Sequence, residues 1–351
     1  MTNATIGTPL DLRAAWREHL ERNPGTRIRD AATALGVSEV ELLATECGDS
    51  VVRLDAQWPD LVAQFGRLGT VMSLTRNDVA VHEKTGAFEN VSASGTMGLV
   101  LGEAIDLRIF FSRWHHGFAV ETEAHGAVRR SFQFFDADGT AVHKVFLTSG
   151  SDAEAFQELV SRYRSADQSP NQAVLDPEPV VEEKPDSEID VEGFRAAWQG
   201  MQDTHEFFGM LRDFGVTRTQ GLRLAPAEFA RPVPVDTLQA LLDDVAAAGT
   251  EIMVFVGSPG VIQIHTGPVR TIKAMGPWVN VLDPDFNLHV RADLIGSAWV
   301  VRKPTADGVV TSVEFFDGER RNVALVFGKR KPGKPELERW REHVERIGRE
   351  S

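Results

Sequence analysis

The chain has 351 residues, 42% hydrophobic and 25% charged, with a net charge of −14 and one cysteine, Cys47. That length suits two domains, each able to bury a core. The acidic balance argues against general affinity for nucleic acid or anionic lipid. A lone cysteine excludes an internal disulfide and any Cys-rich zinc or iron–sulfur site, so a metal here must have other ligands or arrive inside a cofactor. No run of about 18 apolar residues could span a bilayer, and the first residues lack the basic-then-apolar layout of a secretory signal, so a cytoplasmic location is expected.

In chain order, residues 10–21 and 27–35 carry apolar residues at helical spacing, and residues 58–68 form a further amphipathic helix. Short β-like runs follow at 71–74, 79–82, 97–101, 107–111, 118–121, 128–135 and 141–147, and then a helix at 153–163. The whole order then recurs. Helical patterning returns at 191–211 and 235–248, β-like runs at 251–256, 261–265, 278–282, 287–290, 298–302, 309–316 and 322–327, and a last helix at 335–347. Direct matches support a duplication with an offset near 181 residues. Arg13-Ala14-Ala15-Trp16 recurs as Arg195-Ala196-Ala197-Trp198, and Leu35-Gly36-Val37-Ser38 is echoed by Phe214-Gly215-Val216-Thr217. Residues 131–136 (SFQFFD) answer residues 312–317 (SVEFFD). The expected organisation is an N-terminal repeat (1–165), an acidic Pro-rich linker (166–190) and a C-terminal repeat (191–351). Runs of strands without β-α-β alternation predict an α+β fold, in which each copy has a large mainly antiparallel sheet and helices set to one side or end.

The motifs for familiar chemistries are missing: no HExxH, GxSxG, P-loop or Rossmann glycine pattern is present. Residues 31–42 (AATALGVSEVEL) have the look of a helix-turn-helix, a remote alternative that would imply a DNA-binding regulator. Its recognition helix carries Glu39, Glu41 and Glu46 and no Lys or Arg, the wrong sign for phosphate. His115 and His116 are adjacent, so on a strand they face opposite ways; His19, His125, His143 and His343 have no motif around them. One histidine is set differently. His205 lies within residues 203–218 (DTHEFFGMLRDFGVTR), among aromatics on an expected helix.

That segment, together with residues 79–88 (VAVHEKTGAF), 106–110 (DLRIF), 251–257 (EIMVFVG) and 299–308 (WVVRKPTADG), resembles the bacterial cytosolic hemin-degrading factors, or HemS-type haem-utilisation proteins. The resemblance covers nearly the whole chain, duplication and linker included. It implies haem b (iron protoporphyrin IX) as ligand or substrate, with His205 as the axial ligand of the iron. It places Arg108 on the opposite side of the iron, able to hydrogen-bond water, hydroxide or peroxide, with Phe110 packed on the porphyrin. Arg218, Lys303 and Arg330 fall on the positions that hold the two propionates. Phe327 stands where many relatives have a tyrosine, and His265 where relatives have a phenylalanine. His205 maps near Asn23 in the first copy and Arg108 onto His289 in the second, so one asymmetric site is expected rather than two equal ones. The implied activity is oxidative haem degradation of the haem-oxygenase kind, driven by an external electron donor. The alternative is a non-enzymatic carrier delivering haem to a separate oxygenase. Implied partners are an inner-membrane haem importer, a reductase or that oxygenase.

Overall fold

A computed structural model of the chain describes residues 8–124, 126–330 and 333–347. His125 lies outside the described residues. The chain divides into two compact units, and each includes a short segment from the other half of the sequence. Unit 1 comprises Met1–Arg76, Glu83–Glu178 and Ser258–Gln263; unit 2 comprises Asn77–His82, Pro179–Gly257 and Ile264–Ser351.

Unit 1 begins with three helices, α1 (Pro9–Arg22), α2 (Ile28–Leu35) and α3 (Glu39–Ala44). Gly36 closes α2 in the left-handed region, and Ser38 opens α3 with a reciprocal capping box to Glu41. Then come β1 (Val51–Arg53), α4 (Trp58–Ala63), β2 (Gly69–Arg76), β3 (Ala80–Gly86), β4 (Val91–Ser94), β5 (Met97–Leu101), β6 (Asp106–Phe110), β7 (His116–Ala124), β8 (Ala127–Phe135), β9 (Ala141–Ser151) and α5 (Ala153–Tyr163). Within this unit the order β1-β7-β8-β9-β2 makes an antiparallel sheet, and β4-β5-β6 makes an antiparallel meander.

Unit 2 repeats the plan. It has α6 (Val191–Gln199), α7 (Glu206–Phe214), α8 (Arg218–Leu224), β10 (Ala230–Val233), α9 (Thr237–Ala248), β11 (Ile252–Gly257), β12 (Val261–Gly267), β13 (Ile272–Met275), β14 (Trp278–Leu282), β15 (Phe286–Arg291), β16 (Ile295–Lys303), β17 (Val310–Asp317), β18 (Asn322–Gly328) and α10 (Glu338–Arg346). Its sheet order is β10-β16-β17-β18-β11, with the meander β13-β14-β15. The duplication extends to irregularities. A register shift falls between Phe134 and Phe135 in β8 and between Phe315 and Phe316 in β17, at the same place in both repeats.

The α+β class with large antiparallel sheets and flanking helices holds, but the helices cover both faces. In unit 2, Phe315 and Val300 join the layer of α9 and α10, where Trp340 is fully buried, while Phe316 and Val301 join the layer of α6, α7 and α8 around Trp198. In unit 1, Phe134 packs with Trp58 and Phe65 on one side, and Phe135 with Val40 and Leu43 on the other. Consecutive aromatics on one strand therefore serve two cores.

One further expectation needs correction. The helical run predicted over 191–211 is broken: Gly200 caps α6, and α7 does not begin until Glu206. Residues 166–190 carry no regular element beyond a 3-10 turn at Asp186–Glu188 and are laced to their own unit at either end. Gln168 hydrogen-bonds the backbone of Arg53 in unit 1, and in unit 2 Glu183 and Asp186 both pair with Arg223. The helix-turn-helix resemblance is structural packing. Val40, Leu42 and Leu43 of α3 are buried, and Glu39 is buried against Arg76 and Lys144.

Unit 1 also contains a buried polar cluster. The His143 ring contacts Ser73 Oγ at 3.1 Å and Thr75 Oγ1 at 2.9 Å, while Thr75 donates to Gln263 Oε1 at 2.8 Å. Burial lowers the His143 pKa to about 3. The unfolded chain thus binds this proton below pH 6.5 and the folded one does not, so stability from this residue is full above pH 6.5 and falls as pH drops toward 3. Each pH unit in that window costs up to about 1.4 kcal/mol. Urea unfolding at pH 7 and pH 5 is expected to show an excess loss of about 2 kcal/mol for the natural chain over His143→Asn.

Candidate functional site

The residues singled out by sequence fall into both units. Arg108 and Phe110 lie on β6 in unit 1, while His205, Arg218, Lys303, Phe327 and Arg330 belong to unit 2.

His205 does not sit inside a helix. It is the N-cap residue of α7, directly after the break that follows α6. The turn is built by Asp203, whose Oδ1 accepts from the His205 backbone N–H at 2.8 Å and lies 2.6 Å from His205 Nδ1. The imidazole is 93% exposed, and Nε2 is left without a partner among the described residues. The Asp203 carboxyl is held below its ordinary pKa by its hydrogen bonds from the His205 backbone and ring, with a smaller contribution from the Arg330 charge. Arg330 is therefore close enough to act on the same turn; its own nearest carboxylate is Asp307, at 3.9 Å.

Behind His205, the two phenylalanines of α7 divide the work. Phe207 is buried among Trp198 and its neighbours, with the Trp198 ring edge-on at 4.9 Å. Phe208 is 65% exposed, a large apolar ring in water three residues from the imidazole. Both rings carry cations. The Arg218 guanidinium lies 5.0 Å from the Phe207 centroid and 5.4 Å from that of Phe208, and Lys303 Nζ lies 4.2 Å from Phe207.

The anchor of these cations is Glu314 on β17, a residue the sequence reading did not single out. Its side chain is fully buried and accepts both Nε and Nη2 of Arg218 at 2.8 Å, Lys303 Nζ at 3.1 Å and Ser312 Oγ at 2.9 Å. Burial alone would raise the Glu314 pKa; the Arg218 and Lys303 charges more than reverse this and hold it at about 2. Burial lowers Lys303 to about 8, with Glu314 resisting the shift and Arg218 adding to it. The implied propionate ligands Arg218 and Lys303 are thus already engaged by a carboxylate. Three charges sum to a single positive one. Arg330, half-buried and only loosely paired, is the more available of the three cations.

A signal for Glu314 was present in the repeat. Glu314 answers Gln133 in the SFQFFD/SVEFFD match, and Arg218 answers Glu39 directly after the matched 35–38 and 214–217 segments. Both positions differ in charge between the copies.

The remaining residues have local partners. Phe327 packs on Phe255, with ring centroids 5.1 Å apart. His265 is buried and stacks flat on Phe286, 3.8 Å between centroids. Arg108 is half-exposed and forms an ion pair with Asp106 on the same strand. Phe110 is half-buried, and its backbone N–H donates to Gly260 at 2.9 Å. Among the described residues, no group of three or more His, Cys, Asp or Glu is arranged to hold a bare metal ion. The unit 2 residues instead suit a flat, apolar, dianionic macrocycle bringing its own metal: one imidazole with a free nitrogen, an exposed aromatic face and nearby cations.

Comparison with known proteins gives the same direction. Two stretches, residues 36–163 and 215–347, each match the haemin-degrading HemS/ChuX domain. The hemin transport protein HmuS of Yersinia pestis is 36% identical over 328 residues, covering 93% of this chain and 94% of its own. Holo-PhuS, a heme-binding protein from Pseudomonas aeruginosa, superposes with a TM-score of 0.95 at 44% identity, covering 97% of this chain and 99% of that one. ChuS, an Escherichia coli heme oxygenase, superposes with a TM-score of 0.87 at 33% identity, covering 96% and 99%.

Removing Glu314 tests the account of the buried charges. Glu314→Ala strands two cations in the interior and is expected to lower the unfolding free energy by about 3–5 kcal/mol in urea titration. Phe327→Tyr, on a half-buried ring, is expected to change it by under about 1 kcal/mol. With two matched domains in tandem and full-length similarity to HmuS, PhuS and ChuS, the chain belongs to the haemin-degrading HemS/ChuX family.

Proposed function

We propose that the protein binds haem as a cytoplasmic component of haem-iron acquisition, with His205 as the axial ligand, and that it degrades the bound porphyrin oxidatively. The observation that carries this reading is the accessible Nε2 of His205, held at the start of α7 beside the exposed Phe208 and the cations of unit 2. Haem supplies the redox chemistry and the oxidisable ring carbons; the protein supplies binding and orientation.

In this reading Arg330 meets a propionate directly, Arg218 and Lys303 provide the positive field behind it, and Phe208 contacts the porphyrin. For unit 1 the family resemblance implies Arg108 as a hydrogen-bond donor toward an oxygen ligand and Phe110 as an apolar contact for the porphyrin. A guanidinium carries donors and no acceptor, so Arg108 would serve as a hydrogen-bond donor to an oxygen ligand. The solved relatives support both ends of the activity range, since PhuS is described as a heme-binding protein and ChuS as a heme oxygenase. A carrier that hands haem to a separate oxygenase is the second reading. It would use the same His205 and cations, with Arg108 in a binding role only and an inner-membrane importer upstream; a degrading enzyme would need a reductase instead.

A hemin titration followed at the Soret band is expected to saturate at one haem per chain, and His205→Ala to lose the natural spectrum. Two equal sites, or an unchanged spectrum in His205→Ala, would remove the assignment. Addition of ascorbate then separates the two activities. Conversion to a tetrapyrrole product in the presence of catalase marks an enzyme, whereas protection by catalase marks a carrier bleached by free peroxide. Arg108→Ala is expected to keep hemin binding within about tenfold and to slow ring opening by about 10²-fold or more, the cost of one missing charge-stabilising donor.

A further inference from the structure

Haem ligation through His205 requires more than an exposed ring, because a neutral imidazole offers a lone pair on only one nitrogen at a time. Which nitrogen is free depends on the hydrogen bond made by the other. Here Asp203 Oδ1 lies 2.6 Å from Nδ1 and also accepts the His205 backbone N–H at 2.8 Å. A carboxylate can only accept, so the proton of a neutral ring stays on Nδ1 and Nε2 presents its lone pair. The backbone bond fixes the other end. Chain direction and ring are held by one oxygen, in a turn that also closes through the Glu206 N–H to the Asp203 carbonyl at 3.1 Å.

Beyond this turn Asp203 has no further side-chain hydrogen bond among the described residues: it is 60% exposed, and both of its side-chain bonds go to His205. A short polar residue at a helix start normally bonds the backbone of the first turn alone. The additional bond to the imidazole is the feature that a simple helix cap does not need.

We propose that Asp203 is the positioning residue for haem ligation: it fixes the Nδ1–H form of His205 and lends negative charge to the ligand, favouring ferric over ferrous iron. The inference rests on the reading of His205 as the axial ligand. Its chemistry is general, since a carboxylate on the second nitrogen of a ligating imidazole raises the basicity of the first. A more basic ligand stabilises the more highly charged metal state. The natural consequence is a cargo held most tightly as hemin and loosened when an electron arrives.

Two variants separate charge from geometry. Asp203→Asn keeps an oxygen that can accept both bonds but removes the charge; Asp203→Ala removes both. In the ligand-free chain with ¹⁵N-labelled histidine at pH 8, the His205 ring, assigned by its loss in His205→Gln, is expected to show the Nδ1–H form in the natural protein and in Asp203→Asn. Asp203→Ala is expected to show a mixture of forms. In the hemin-loaded chain, spectroelectrochemistry is expected to find the ferric preference about tenfold weaker in Asp203→Asn, a rise of about 59 mV for one electron. Asp203→Ala should shift at least as far and release hemin faster to apomyoglobin. The proposal is overturned by an Nε2–H form in the natural chain, or by natural midpoint potentials in both variants. A helix cap alone would leave the potential where it was. Failure of the ligand assignment is distinguishable, because it is read from an unchanged Soret band in His205→Ala and not from Asp203.

Discussion

The buried carboxylate of Glu314 ties together the elements on which the candidate site stands. It lies on the central strand β17, and its partners come from α8 and from the end of β16. Those partners in turn lie over Phe207, the first buried residue of α7. A full charge in such a place is tolerable only when every oxygen is occupied, and here four donor contacts fill two oxygens. The arrangement fixes the start of α7 against the sheet without an apolar contact to Glu314. It also means that the cations of the site are held in place before any ligand arrives, at the cost of much of their charge.

Duplication explains how such a site could arise in one copy only. The same position at the start of the third helix is Glu39 in unit 1 and Arg218 in unit 2, and the facing strand position is Gln133 in unit 1 and Glu314 in unit 2. Unit 1 answers Glu39 with Lys144 and Arg76 from β9 and β2, while the Gln133 amide donates to Ser131 Oγ. Each copy therefore has an ion cluster of one carboxylate and two cations at the base of this helix, the helix supplying the carboxylate in unit 1 and a cation in unit 2. Only the unit 2 version turns positive charge toward the aromatic pair of α7, and only there does the preceding turn carry a histidine; the first copy has the exposed Asn23 closing α1.

Much of the fold was legible because two independent copies had to obey one pattern. The strands at 97–101 and 128–135 and the helix at 153–163 fall on β5, β8 and α5 almost residue for residue, since alternation and amphipathicity were strong there. The exchanged segments, Asn77–His82 and Ser258–Gln263, were not legible; strand patterns do not say which neighbour a strand joins. The break at Gly200–His205 was also missed. Helical periodicity continues across it in the apolar residues, whereas the break is made by one carboxylate bonding a backbone N–H two residues on, which periodicity does not register. At the site, His205 was reached by resemblance. Glu314 was overlooked because a glutamate in a strand reads as solvent-facing until both strand faces are known to be covered.

The position of the histidine at a helix break, rather than within the helix first expected, changes what can be said about its chemistry. A ring inside α7 would take its direction from the helix and its surroundings from the core. At the N-cap the ring is directed by a two-residue turn and stands in water, so presenting it costs the core nothing. Lys303 and Phe207, by contrast, are buried, and Arg218 is held beside them by Glu314. Charge fixed by Glu314 below and a locally held ligand above suit a cargo that must enter and leave: the field that attracts it is permanent, while the bond that retains it depends on one exposed contact between Asp203 and His205.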